Sequence, residues 1–201
     1  MPQRSPEWFA IRAGIPTASD AGKLITSTGK KSTQQADYAY QLAADLYAGK
    51  PLDRWEGNAS TERGRELEGE ALKAYREDTG AWIETVGFCT DDDGYYGCSP
   101  DGLTDDGMVE IKCLGAKNHV KALVYHNKTK CAPPDYIPQV HMQMLVCNRG
   151  WCDLFYYHPD LPNLIVRQYK VDTLQRALIE QLEICIEARD NFLNIIKKEE
   201  R

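Results

Sequence analysis

The hydrophobic pattern of this chain changes period partway along, and that change limits the fold more than any other feature. Before residue 80 the apolar residues recur at helical spacing. Between 82 and 113 they fall into short runs broken by Gly, Asp and Pro, and helical spacing then returns. The segment Ile15-Pro16-Thr17-Ala18-Ser19-Asp20 reads as a helix start, with Thr17 as cap and Ala21, Leu24 and Ile25 following. Residues 26–35 read as a polar loop, 36–47 as a helix ended by Gly49 and Pro51, and 60–79 as a helix stopped by Gly80. Strands are expected at 82–90, 95–99, 108–113, 152–158 and 164–171, and helices at 116–125 and 136–146. Leu174, Leu178, Leu182, Cys185, Arg189, Leu193 and Ile196 form one stripe of a long closing helix. The sum is an α/β or α+β fold, a central mixed sheet flanked by helices. With no internal repeat or long linker, residues 1–201 read as one domain.

Several classes drop out. Hydrophobic residues make up 42% and charged residues 27%, a globular balance rather than a disordered one. A chain of 201 residues should bury roughly 70% of its unfolded surface without metal or disulfide staples. No apolar run reaches the ~20 residues that span a bilayer, and Met1 to Glu7 has no apolar signal core, so a cytoplasmic protein is expected. Seven scattered cysteines then read as reduced thiols.

The net charge of −6 conceals a pattern. Residues 66–110 hold 13 acidic and two basic residues, whereas 111–170 hold eight basic and three acidic ones. An acidic segment between basic ones suits a cation-binding centre flanked by surfaces for an anion, although a solvated acidic face would look the same.

The informative stretch is Ser99-Pro100-Asp101-Gly102-Leu103, followed by Val109-Glu110-Ile111-Lys112-Cys113. Asp101 follows a proline in a turn. Glu110 and Lys112 are i and i+2 on an apolar strand, so they share a face. An Asp and a Glu on adjacent strand ends can share a hard divalent cation through oxygen atoms, and a neighbouring lysine can hold or deprotonate the water that attacks. A carboxylate and an ammonium in a partly buried centre must pair to be tolerated.

A Pro-Asp, eight residues and a Glu-x-Lys resemble the catalytic motif of the restriction-endonuclease-like nucleases. With Trp8, Arg12-x-Gly14, Thr17-Ala18-Ser19, Gly64-x-x-x-Glu68 and Gln139-Val140, the order and spacing resemble the lambda-type exonuclease (viral recombinase nuclease) family over about residues 7–160. The resemblance implies a Mg²⁺-dependent enzyme, with Mn²⁺ as a substitute, that degrades one strand of linear duplex DNA from a 5′ end. Asp101, Glu110 and the Ile111 backbone carbonyl would be metal ligands, in a site for two ions about 3.5–4 Å apart. Lys112 would activate or orient water, and Glu68 and Gln139 would support the metal and the water. Arg12, Thr17 and Ser19 would take the 5′-phosphate, as a helix N-terminus and an arginine can. The resemblance also implies a phage or prophage origin, a ring-shaped homotrimer threaded by DNA, and a single-strand annealing partner for the 3′ tail.

Lys30, Lys31, Lys117, Lys121, Lys128 and Lys130 are candidates for sequence-independent backbone contacts. Trp8 and Trp55 could stack at a frayed end, but a tryptophan is more often core. Asp91-Asp92-Asp93-Gly94 fails the spacing of a calcium loop and reads as a hairpin turn. No C-x-x-C, His cluster or phosphate-binding G-x-x-x-x-G-K-[ST] occurs, so neither zinc nor a nucleotide cofactor is expected. Two rivals stand beside the exonuclease: a structure-specific or restriction-type endonuclease on the same fold, and a catalytically silent DNA-end-binding module.

Overall fold

The computed structural model describes residues 5–52 and 59–199; Trp55 lies outside them. The chain opens with α1 (Pro6–Ile11), which Ser5 caps by accepting the Trp8 backbone N–H at 3.2 Å. A 3-10 helix (Ala18–Lys23) comes next, then α2 (Gln35–Ala48) and α3 (Ala59–Thr79). Gly49 and Gly80 end these two helices with φ of 64° and 67°, a conformation in which only glycine is free of a Cβ clash.

A small hairpin pairs β1 (Cys89–Thr90) with β2 (Gly97–Cys98). The main sheet has the order β3-β4-β5-β6, from β3 (Gly102–Leu103), β4 (Met108–Lys112), β5 (Trp151–Tyr156) and β6 (Leu164–Tyr169). Between β4 and β5 run α4 (Ala116–Thr129), a 3-10 turn (Pro134–Tyr136) and α5 (Ile137–Val146). This helical crossover lets β4 and β5 pair in parallel, Met108 opposite Cys152 and Lys112 opposite Tyr156. The outer pairs are antiparallel, so the sheet is mixed as expected. α6 (Asp172–Glu199) closes the chain.

Strand alternation sorts the core into layers. Met108, Cys152, Leu154 and Tyr156 pack with Ala122 of α4 and Val140 and Met144 of α5. Val109, Ile111, Phe155 and Tyr157 pack on the other face with Ala71, Leu72 and Tyr75 of α3. A third cluster joins α2 and α6 through Ala39, Leu42, Leu178, Leu182 and Cys185, and Met142 links it to α5. Each of these large apolar side chains contributes roughly 1.5–3 kcal/mol by leaving water.

Four expectations need correction. The helix after Pro16 is a six-residue 3-10 helix, and the Thr17 side chain does not cap it; its hydroxyl is 3.1 Å from that of Ser19 instead. Residues 82–88 are not a strand: a single bridge joins Glu84 to Leu103, and only Cys89 and Thr90 continue. The second expected strand shrinks to Gly97 and Cys98. The two-residue β3 was not expected at all. It exists because Gly102 lets the backbone pass close to Ile83; a Cβ there would lie 2.2 Å from the Ile83 Cγ2.

Candidate active site

The turn before β3, the strand β4 and the helices α3 and α5 build the site. β2 ends at Cys98, and the Ser99-Pro100 turn delivers Asp101 immediately before β3. Because Gly102 pairs with Val109, Asp101 falls opposite the end of β4 where β3 no longer covers it. Its Oδ2 accepts the Ile111 N–H at 2.6 Å, so the carboxylate stands in for the missing strand. The Lys112 carbonyl faces β5, accepting the Tyr157 N–H at 3.1 Å. Alternation therefore turns the Ile111 carbonyl toward the same open edge as Asp101.

Glu110 and Lys112 project from the opposite face of β4 to Val109 and Ile111, toward α5. Gln139 and Gln143, four apart on that helix, meet them. Glu110 Oε1 accepts Lys112 Nζ at 2.7 Å and Gln139 Nε2 at 2.6 Å, and Oε2 accepts Gln143 Nε2 at 2.6 Å. Lys112 Nζ also donates to Gln139 Oε1 at 3.0 Å and lies 4.4 Å over the Tyr136 ring. Gln143, 1% exposed, was not anticipated from the sequence. The only available signal was a second glutamine one helical turn beyond Gln139 on an otherwise apolar helix.

The electrostatics follow from this crowding. Burial, and then the neighbouring Glu110 carboxylate, push the Asp101 carboxyl well above the usual range; Glu68 adds to this, while the Ile111 N–H and Lys112 oppose it. Burial alone would lower the Lys112 ammonium, but Glu110 and Asp101 outweigh it and hold the group above its ordinary value. Lys112 is thus a cation and a hydrogen-bond donor at neutral pH. The surrounding cleft of about 470 Å³ is lined by three carboxylates, Glu68, Asp101 and Glu110, and two cations, Arg65 and Lys112. Two carboxylates and a carbonyl oxygen at one edge form a hard donor set that could hold a divalent cation. Among the described residues no group of three or more His, Cys, Asp or Glu is gathered closely enough to hold a metal ion by itself.

The remaining expected residues are placed unequally. Glu68, on α3, and Ser19 line the cleft. Thr17 does not reach it; the residue is 1% exposed, and its N–H donates to the Tyr38 hydroxyl at 3.1 Å. Arg12 is buried at 6% exposure, its guanidinium 3.9 Å over the Trp8 ring. Both Trp8 Nε1 and Arg12 Nη1 donate to Ser99 Oγ, at 3.0 and 3.4 Å, and so brace the turn that carries Asp101. Lys30, Lys31, Lys117, Lys121, Lys128 and Lys130 are all exposed. Asp91 closes the β1–β2 hairpin, its Oδ1 accepting the N–H groups of Tyr95 and Tyr96 at 2.7 and 3.1 Å. Cys98 and Cys113 pack as small buried groups beside the motif, and the Cys98 and Cys147 sulfurs lie 3.5 Å apart.

A mixed sheet between helices, with two acids and a lysine gathered at the open edge of a central strand, is the architecture of a nuclease. The family model for the YqaJ-like viral recombinase domain matches residues 7–150, and the chain belongs to that family. Among solved structures it is similar to an alkaline exonuclease from Laribacter hongkongensis, with 30% identity over 97% of both chains and a TM-score of 0.84. The same enzyme in complex with dAMP gives 29% identity, 97% of both chains and 0.83. A phage related exonuclease from Haemophilus somnus 129PT shares the fold, at 15% identity, 90% of this chain, 96% of that chain and a TM-score of 0.72. Comparison with curated proteins gives no match. No helix among the described residues is long and apolar enough to cross a membrane.

Proposed function

We propose that the protein is a Mg²⁺-dependent 5′→3′ exonuclease that degrades one strand of linear double-stranded DNA from 5′-phosphorylated ends. The observation that carries this reading is the convergence of Asp101, Glu110 and Lys112 on one open cleft, with Gln139 hydrogen-bonded to both Glu110 and Lys112. Asp101, Glu110 and the Ile111 carbonyl, with Glu68 beside them, are the residues that would hold the metal, two ions in the full site. Their fit is chemical: all donors are oxygen, and burial, with the neighbouring Glu110 carboxylate adding to it, raises Asp101, a cost that a cation would relieve. Bound Mg²⁺, or Mn²⁺ in its place, would polarise the scissile phosphate and lower the pKa of water.

The chain's own groups do the rest. Lys112, held as an ammonium, donates to the attacking oxygen or the phosphate and balances charge as the transition state forms. Gln139 holds that ammonium and the Glu110 carboxylate together through one hydrogen bond to each. Arg65 and Ser19 line the same cleft and would bind an incoming phosphate. Arg12 would support the site indirectly, by bracing the Ser99 turn that carries Asp101.

The product would be a 3′ single-stranded tail for phage-type recombination in the cytoplasm of a bacterial host, passed to an annealing protein. Residues 1–201 act as one domain, and a ring-shaped trimer would place the acidic surface outside and the basic segments along a DNA channel. Digestion of linear duplexes with and without a 5′-phosphate, in Mg²⁺ and in chelator, tests the reading. Mg²⁺-dependent loss of the phosphorylated strand from its 5′ end is expected. Cutting of closed circles would identify an endonuclease instead, and binding without cleavage would identify an end-binding module.

A further inference from the structure

Behind Tyr136 lies a second cavity of about 420 Å³, bounded by α4 and the Pro133–Tyr136 turn. Tyr136 and Leu114 line both this cavity and the catalytic cleft, so they form a shared wall. On the cleft side, the Tyr136 ring meets the Lys112 ammonium at 4.4 Å. On the far side, Tyr125, Tyr156, Asn118 and Lys121 complete the lining. The Tyr136 and Tyr156 rings lie 6.2 Å apart, tilted by 57°. Tyr156 is fully buried, yet its hydroxyl has no hydrogen-bond partner.

We infer that this cavity is a subsite for a nucleobase of the strand held in the cleft, an inference that rests on the nuclease reading above. A base is flat, apolar on its faces and polar at its edge, and it sits one sugar away from its phosphate. The cavity offers the matching surfaces: the Tyr125 and Tyr136 rings and Leu114 for the faces, and the Asn118 amide for the edge. A phosphate fits less well, because Asp135 lines the same cavity and offsets Lys121. The position also suits the reaction. A phosphate beside Lys112 would have its base on the other side of the Tyr136 wall, so seating the base would draw the terminal nucleotide out of its stack and present the bond to the cleft.

The test measures binding rather than cleavage. Linear duplexes with 5′-phosphates carry an abasic nucleotide at the first, second or third position of the 5′-ended strand, and their affinity in Ca²⁺ is compared with that of the unmodified duplex. The protein should bind the unmodified end about tenfold more tightly than the duplex that is abasic at one of these positions. Tyr125→Ala should erase that preference, Tyr125→Phe should keep it, and Asn118→Ala should reduce it. Tyr125 is 37% exposed and Asn118 is exposed, so neither change removes core. Equal binding of all duplexes, or an undiminished preference in Tyr125→Ala, would overturn the subsite while leaving the nuclease standing. Failure to bind any of the duplexes would overturn both.

Discussion

Two buried carboxylates sit on neighbouring strands and on opposite faces of the sheet, and the chain uses them differently. Asp153 on β5 pairs in register with Val109, and Glu110 on β4 with Leu154. Asp153 is gripped by Arg167 through both oxygens, at 2.8 and 2.9 Å, and accepts the Tyr75 hydroxyl at 2.8 Å. Arg167 in turn lies 3.6 Å over the Trp151 ring. One acid meets one base, Tyr75 of α3 covers the acid, and nothing further is needed. Glu110 accepts just as many hydrogen bonds, but it shares its lysine with Asp101, and Glu68 stands nearby. What separates a site from a strut here is surplus negative charge beside open space, not burial or the number of donors.

Four measurements can break or sharpen that contrast. Lys112→Ala should cut DNA hydrolysis by about a thousandfold while thermal unfolding stays within a few degrees of the parent, since the change strips the cleft and leaves both core layers. Digestion at the parental rate would show that the site lies elsewhere.

Acid should act through a buried histidine. Burial lowers His141, on the α6 side of α5, to about 4. The unfolded chain takes up a proton near the ordinary histidine value of about 6.5, and the folded one does not until about 4. The contribution of His141 is therefore complete above 6.5 and is lost as pH falls through that window, by up to about 3 kcal/mol. Urea midpoints across pH 7 to 4 should show the decline in the parent and a flatter profile in His141→Gln. An equal decline in the variant would mean that His141 is not the group responsible.

Asp153→Ala should lower stability by about 2 kcal/mol, because Tyr75 loses its acceptor and Arg167, already partly in water, is set free. Its turnover per folded molecule should match the parent, and a large loss of turnover would erase the contrast. The smallest effect falls on Gln143→Ala, which removes one charge-assisted hydrogen bond from Glu110. A roughly tenfold fall in kcat with KM unchanged is expected, and an unchanged kcat would show that Gln143 only fills space.

The sequence made some of this visible and hid the rest for physical reasons. Asp101, Glu110 and Lys112 could be read because strand alternation and a Pro-Asp turn are local rules. The long α6 stripe could be read because its spacing persists over many turns. Gln143 could not, since a glutamine on a helix is ordinarily solvated, and only the packing of α5 onto β4 buries it. α1 has too few turns for a periodic signal, and β3 is two residues defined by a partner rather than by its own composition. The strand expected at 82–90 looked apolar enough, but Trp82 is 78% exposed there, Ile83 turns inward against α3 and β4, and only Cys89 and Thr90 pair as a strand. Thr17 had the sequence of a cap, yet the tight 3-10 turn and the Tyr38 hydroxyl left its side chain a different task.

The six residues of α1 are too few to hold a helix in isolation, so contacts at its far side must anchor it. Those contacts are the indole and guanidinium that converge on Ser99, two positions ahead of Asp101. The amino end therefore works as a latch on the acid-bearing turn. Trimming it, or tugging on it with a bulky fusion, would leave the sheet and its melting behaviour largely unaltered while the turn drifts. Turnover would suffer long before the scaffold did.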